Sequence, residues 1–487
     1  MAKAEILSLK PERVWQHFYD LTQIPRPTGQ MEKVTKYVMN FGKSLGLETV
    51  QDKVGNVLIK KPASKGYEGK QTIILQSHLD MVPQKNADVD HDFSKDPIGT
   101  KIDGTAVTAL STTLGADNGI GVAMIMAVLE DDSLKHAPIE GFFTIDEEVG
   151  MNGAFGLEKG FLKGSLMLNL DTEEEGELTV GCAGGADVTA VFEFKQDENI
   201  DKGDVAYKVS LRGLKGGHSG TQIHLGRANA NKLMNRFLKD VIANYEARLV
   251  SVKGGSLRNA IPRESFVVLS IPEQLSDDLV DLIAEYESLF REEYSGVEDG
   301  ISLKAELVDM PTSLIPEEIQ DDLINSIEAS PNGVISMISD FQGVVESSLN
   351  LALVESTEGK IEVKYLVRSS SESKKDSVCS SLESLYSLAG AKVIVDGSYP
   401  GWQPNANSEL LKTMEMIYLD KYNKRPQVIV IHAGLECGII QSNVDQKLDT
   451  VSFGPTITGA HSPDERVEIS SVEKNYDYLV SILEQIG

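Results

Sequence analysis

Three short apolar runs in this chain each end on a histidine or an acid, and that pairing restricts the fold more than any other feature. Thr72 to Leu75 runs into Ser77 and His78, Gly141 to Ile145 into Asp146, and Leu166 to Leu170 into Asp171. Runs that stay apolar without alternation read as strands buried on both faces, the habit of parallel sheets covered by helices. Helical spacing separates them. From Glu32 to Leu47 the residues Val34, Tyr37, Val38, Phe41 and Leu45 make one apolar stripe, and Ile120 to Leu129 reads as a buried helix opening just after Asp117. The pattern predicts an α/β layer with a mostly parallel sheet. Ligands gather at the carboxyl ends of such strands, where His78, the Glu147-Glu148 pair and Asp171 all fall.

A chain of 487 residues exceeds one ordinary core, so more than one domain is expected. The texture changes after Gly181-Cys182-Ala183-Gly184-Gly185. Strand patterns from Asp187 to Phe194, Ala206 to Leu211 and Ser265 to Ile271 then alternate with helical ones from Asn229 to Tyr245 and Gln274 to Arg291. A similar cycle starts with a strand from Ser302 to Val308 and a helix from Pro316 to Ala329. It continues through Ser347 to Val354, Ile361 to Val367 and Lys374 to Ala389. Near Ser398-Tyr399-Pro400-Gly401-Trp402 the α/β pattern resumes, with strands from Val428 to Ile431 and Thr450 to Phe453 and a closing helix from Ser470 to Ile486. The expected organisation is one domain in two segments, 1–186 and 398–487, interrupted by an α+β insertion, 187–397, made of two tandem repeats.

Hydrophobic residues make up 41% and charged residues 25%, the balance of a globular protein. Lys+Arg 46 against Asp+Glu 74 gives a formal charge of -28. That excess argues against nucleic acid and anionic membrane as partners, because both are bound through basic patches. Cys182, Cys379 and Cys437 are far apart and form no Cys-x-x-Cys, so neither a disulfide framework nor a thiolate zinc site is indicated. No run approaches the roughly 18 apolar residues of a membrane span, and Met1 to Leu9 lacks an apolar signal core. The cytoplasm is the expected compartment.

Five segments carry metal-ligand chemistry. In His78-Leu79-Asp80 the two polar side chains share one strand face, so His78 can ligate while Asp80 orients an imidazole. Asp117, in Gly115-Ala116-Asp117-Asn118-Gly119, stands at a helix start, where an acid is either an N-cap or, with its two oxygens, a bridge between metals. Asp146-Glu147-Glu148 closes an apolar strand with three acids, a costly cluster at a sheet rim unless cations compensate it. Adjacent side chains diverge, which gives Glu148 to metal and Glu147 to a water's proton as general base. Asp171 and His461, in Gly459-Ala460-His461-Ser462-Pro463, complete two imidazoles and three carboxylates, the ligand set for two divalent ions. Each motif alone is weak; a surface turn, a helix cap or a satisfied histidine explains any one of them.

Taken in order along nearly the whole chain, these motifs resemble the co-catalytic zinc aminoacylase/carboxypeptidase/dipeptidase superfamily. Gly181-Cys182-Ala183-Gly184-Gly185, Lys215-Gly216-Gly217-His218-Ser219-Gly220 and His432-Ala433-Gly434-Leu435-Glu436-Cys437-Gly438 are most similar to the bacterial aminoacyl-histidine (Xaa-His, carnosine-cleaving) dipeptidases. The resemblance implies that Asp117 bridges, that His78 and Asp171 complete one ion's ligands, and that Glu148 and His461 complete the other's. It implies a cis peptide after the bridging acid, Glu147 activating water and Asp80 steadying an imidazole. The insertion becomes a lid: His218 stabilises the oxyanion, Asn259 binds substrate and Arg368 clamps the substrate's carboxylate. His432 and Glu436 are candidate substrate contacts. Simpler relatives carry the clamp on the strand after the Asn motif, yet Val267-Val268-Leu269-Ser270-Ile271 has no Arg, and it appears one repeat later at 368. The second repeat is therefore expected to stand in for a partner subunit's lid, so that the clamp closes within one chain.

The reading is a cytosolic di-metal dipeptidase for unblocked dipeptides, with Xaa-His substrates including β-alanyl-histidine. Two Zn2+ are expected, with Co2+ or Mn2+ as substitutes, and a homodimer stays open as the state of assembly. An N-acyl amino acid deacylase or exocarboxypeptidase would share the metal centre. A metal-dependent binding protein is the rival from another class, and the intact Glu147 argues against it.

Overall fold

The computed structural model describes residues 5–486. Two compact units emerge: Met1–Gly181 with Trp402–Val430 and Leu435–Gly487, and Cys182–Gly401 with Ile431–Gly434.

The first unit is built on an eight-stranded sheet. Its strands in chain order are β1 (Glu48–Gln51), β2 (Val57–Lys61), β3 (Ile73–His78), β4 (Ile139–Thr144), β5 (Leu166–Asn169), β6 (Glu177–Cys182), β7 (Gln427–Ile431) and β8 (Asp449–Ser452), and in space they run β1-β2-β4-β3-β5-β8-β6-β7. The middle four, β4, β3, β5 and β8, pair parallel. Outside them β1, β2 and β6 pair antiparallel. The expected parallel character thus describes the centre, where every residue of β3 and β4 is buried. The edge strands β1 and β7 contain no buried residue and give no such signal. The helix Ala116–Glu130 is apolar all round and packs on β3 and on the helix Glu12–Thr22, which explains why it lacks a polar face. The stripe that began at Glu32 forms a helix only to Ser44, because Gly46 takes a left-handed φ of 70° and closes it.

The second unit holds a nine-stranded sheet, and its connectivity repays attention. Asp204–Arg212, Arg248–Gly254, Ser265–Pro272 and Ser302–Val308 form one half, with helices Ala230–Tyr245 and Ser276–Glu293 after its first and third strands. In space the order is fourth, first, third, second. Gly184–Glu193, Val345–Thr357, Lys360–Ser369 and Lys392–Tyr399, with helices Glu317–Ala329 and Glu372–Leu388, repeat that order. The second strands of the two halves pair at Lys253↔Glu355 and Gly254↔Val354. The strand Ser302–Val308, expected to open a second cycle, instead pairs with Asp204–Arg212 and completes the first half. The first half is therefore inserted after the opening strand of the other, which a reading along the chain takes for a tandem array. One continuous core serves both halves. Phe237 and Phe290 lie fully inside it, where truncation to Ala costs about 3–5 kcal/mol.

Candidate metal centre

Because β3, β4 and β5 are parallel, their carboxyl ends meet at one edge of the sheet and bring His78, Glu147-Glu148 and Asp171 together. Asp117 arrives from the start of the helix Ala116–Glu130, where Asp117 and Asn118 leave helical geometry and the Asp117-Asn118 peptide is cis. Gly121 is forced by this packing. A Cβ there would lie 2.0 Å from Asn118 Oδ1 and 2.6 Å from Ser77 Oγ.

The two oxygens of Asp117 face different partners. Oδ1 lies 3.1 Å from His78 Nε2, which also lies 3.4 Å from Asp171 Oδ1. Oδ2 lies 3.2 Å from His461 Nε2, which lies 2.9 Å from Glu148 Oε2. The five residues thus divide into two sets of three that share one carboxylate. Ligand atoms of His78, Asp117 and Glu148 all lie within 4.8 Å of one another. Glu148 Oε1 is buried with no hydrogen-bond partner, as befits an oxygen with a cation to accept. The donor set, imidazole and carboxylate without thiolate, fits divalent zinc, manganese or cobalt.

Several residues shape the cradle. Asp80, fully buried, accepts from the backbone N–H of Glu147 at 3.0 Å and of Glu148 at 3.2 Å, and from Thr28 Oγ1 at 2.9 Å. Its Oδ1 stands 3.4 Å from His78 Nδ1. Two further supports escaped the sequence reading. Glu465 accepts from the backbone N–H of Leu114 (2.7 Å), Gly115 (2.9 Å), Ala116 (2.8 Å) and Asp117 (3.2 Å). It binds the loop of His461 to the helix start that carries Asp117, where the helix dipole welcomes an anion. Arg26 donates to the carbonyls of Leu79 (2.9 Å) and Asp80 (3.0 Å) and to that of Gly115. Glu465 sits in a charged tripeptide and Arg26 between two prolines, contexts that read as surface.

Electrostatics follow from crowding acids around two imidazoles. Hydrogen bonds to Asp117 and Glu148 push His461 up to about 11. Burial opposes a charge on His78, yet Asp171, Asp117 and Asp80 outweigh it and hold the imidazole well above its ordinary range. Burial first, then Asp171, Glu436 and Glu148, raises Glu147 well above a normal carboxyl. Glu436 is 1% accessible, and burial pushes it up to about 8. Its Oε2 accepts from Gln76 Nε2 at 2.8 Å and Thr144 Oγ1 at 2.7 Å.

The remaining candidates lie in the second unit. His218 accepts at Nδ1 from the N–H of Gly220 (3.2 Å) and Thr221 (3.0 Å), so the neutral ring carries its proton on Nε2. Burial, then Arg368, lowers its pKa. Arg368 is 5% accessible; Nη1 donates to Tyr399 Oη at 2.9 Å, and Nε has no partner. His432 Nε2 lies 2.7 Å from Ser348 Oγ, and burial, then Arg368, depresses it to about 3. Gly220 sits among the three: a Cβ would meet His432 O at 2.0 Å, His218 Cε1 at 3.0 Å and Arg368 Nε at 3.1 Å. Asn259 is exposed, and its carbonyl accepts from Ser219 N at 2.8 Å.

Residues 74–485 match Peptidase family M20/M25/M40. The chain is 44% identical over 483 residues, 99% of each protein, to the cytosol non-specific dipeptidase of Escherichia coli (strain K12). It is 45% identical to the crystal structure of aminoacylhistidine dipeptidase from Vibrio alginolyticus, with a TM-score of 0.95, covering 99% of this chain and 98% of that one. Aminopeptidase PepT from Bacillus cereus shares the fold at 16% identity and a TM-score of 0.57, with 98% of each chain covered. On the extent of these matches, the chain belongs to peptidase family M20/M25/M40.

Proposed function

We propose that this M20 dipeptidase hydrolyses unblocked dipeptides, Xaa-His and β-alanyl-histidine among them, with two divalent cations, zinc by preference, held in the cradle of the first unit. The observation that carries the reading is the shared Asp117, one oxygen beside His78 and Asp171 and the other beside His461 and Glu148. Bound there, two cations would polarise the scissile carbonyl and acidify a water. The protein's own groups do the rest. Glu147 takes the water's proton and returns it to the leaving amine, a task suited to a carboxyl raised toward neutrality. Asp80 holds the His78 ring and, through two backbone N–H groups, the Glu147-Glu148 turn.

His218, neutral with its proton on Nε2, is assigned to donate to the oxyanion. Arg368 is assigned to the substrate's free carboxylate. A buried guanidinium with no carboxylate in ion-pair distance among the described residues asks for an anionic ligand. Asn259 is a substrate contact in this reading, and His432 shapes the pocket of Arg368. Gathering of His218 and Arg368 around Gly220 from the two halves of the second unit supports a substrate clamp built within one chain. A cytoplasmic location goes with the reading, in line with the name of the Escherichia coli relative; among the described residues no helix is long and apolar enough to cross a membrane.

The test is turnover by chelator-treated protein reloaded with Zn2+, Mn2+ or Co2+. Dipeptides with a free carboxylate should be cleaved, while N-acetyl-histidine and tripeptides should react at least about tenfold more slowly. Faster cleavage of the acetylated compound would replace the dipeptidase reading with that of a deacylase.

A further inference from the structure

A row of buried polar side chains crosses the centre of the first unit's sheet, directly behind the residues of the cradle. Thr144 of β4 and Gln76 of β3 both donate to Glu436 Oε2, at 2.7 and 2.8 Å. Gln76 Oε1 accepts from Asn169 Nδ2 of β5, whose Oδ1 accepts from Ser452 Oγ of β8. Ser452 Oγ lies 2.8 Å from Thr172 Oγ1, which lies 3.1 Å from Thr179 Oγ1 of β6. Gln76, Thr144, Ser452 and Thr179 are wholly inaccessible, and Asn169 and Glu436 are 1% accessible. Strands buried on both faces have no structural need of such residues, and each polar group carries a desolvation cost that an apolar side chain avoids.

The placement of the row gives it a purpose. Gln76 stands two residues before His78 and on the same face of β3. Asn169 stands two before Asp171, Thr172 one after it, and Thr144 three before Glu147. Every strand that delivers a ligand or the base is thus bonded to its neighbour just behind that residue, and Glu436, from outside the sheet, joins β3 to β4. Glu436 Oε2 takes its hydrogen bonds from Gln76 and Thr144, and its Oε1 has no hydrogen-bond partner.

We infer that Glu436 is a positioning residue: by accepting from Gln76 and Thr144 it sets the spacing between His78 on one side and Glu147-Glu148 on the other. The inference rests on the two-cation reading. Ordered supports of this kind typically change metal affinity by about 10–100-fold when removed. For Glu436→Ala the expected result, in a Zn2+ titration of chelator-treated protein, is affinity weakened by about that factor. In turnover of a dipeptide, kcat should fall at least about tenfold with KM within about twofold. Glu436→Gln keeps an oxygen for both hydrogen bonds and should restore affinity and kcat to within about threefold of the parent. A role confined to holding the fold would lower the thermal midpoint of the metal-free protein without a split between kcat and KM. Parental affinity and kcat in Glu436→Ala, or a Glu436→Gln as impaired as Glu436→Ala, would overturn the proposal. Should Glu436→Ala fail to fold, Ser452→Ala interrupts the same row beyond Asn169. There, Zn2+ affinity reduced about threefold or more at an unchanged thermal midpoint supports the inference, and unchanged affinity defeats it. If the parent protein itself does not take up two Zn2+, the two-cation reading fails and not the positioning argument.

Discussion

The two units present opposite electrostatic deficits. In the first, Asp80, Asp117, Glu147, Glu148 and Asp171 surround two imidazoles; burial and neighbouring acids push Glu147 and Glu148 up, and hydrogen bonds to Asp117 and Glu148 raise His461 to about 11. In the second, Arg368, His218 and His432 gather around Gly220, and both imidazoles are driven toward neutrality instead. One cluster is short of cations and the other of an anion. In the proposed reading the first deficit is met by metal ions and the second by a substrate carboxylate.

The contrast breaks most completely at Asp117, the one side chain common to both ligand sets. Asp117→Ala should reduce bound Zn2+ from two per chain to below one, with turnover falling to background, whereas Asp171→Ala should leave one ion; equilibrium dialysis followed by metal analysis separates the two. Retention of two ions by Asp117→Ala would refute the shared carboxylate. Glu147→Gln should leave Zn2+ at two per chain and lower kcat by about 10²–10⁴-fold, the usual worth of a general base. A Glu147→Gln variant that loses metal would show Glu147 to be a ligand and not a base.

These predictions rest on residues whose signal was unequal. His78, Asp146 to Glu148 and Asp171 stood out because an uninterrupted apolar strand that stops at an ionisable group has only one place to put it, the sheet's carboxyl edge. Asp117 and His461 carried a weaker signal, since a helix start and a Gly-Ala-His turn have ordinary explanations, and the resemblance was what made Asp117 the bridge. The hydrogen bonds of Glu436 to Gln76 and Thr144 were hidden, because a lone acid at the first turn of the helix Glu436–Asn443 carries no sign of which way it points. Glu465 and Arg26 were invisible for a related reason, because their partners are backbone groups far away in sequence, and no pattern records a carbonyl or an N–H. The nested second unit was hidden because hydrophobic periodicity reports strands in chain order, and spatial order is a property of pairing.

In the cationic cluster the expected effects are smaller. Arg368→Ala should lower kcat/KM for dipeptides by about 10–100-fold, the equivalent of a charge-assisted hydrogen bond of about 1.5–3 kcal/mol. It should leave dipeptide amides unaffected, so that the preference for a free carboxylate disappears. If amides suffer as much as free acids, Arg368 supports the fold and does not read the substrate.

The mildest test concerns His432, buried beside Arg368 and bonded to Ser348. Its folded pKa, about 3, lies below the ordinary value of about 6.5. Between those values the unfolded chain therefore binds the proton that the folded chain refuses, and stability falls as pH drops through that window. The slope from this one group is at most about 1.4 kcal/mol per pH unit. His432→Gln can still meet the Ser348 hydroxyl but has nothing to titrate. In urea unfolding of the metal-free proteins, the parent should lose more stability than the variant between pH 6.5 and pH 5, while the two differ by a constant above pH 7. Carboxylates contribute to both proteins alike, so the difference isolates the imidazole. Parallel curves across the whole range would mean that His432 carries its proton in the folded state, and that the second cluster holds one more positive charge than its geometry implies.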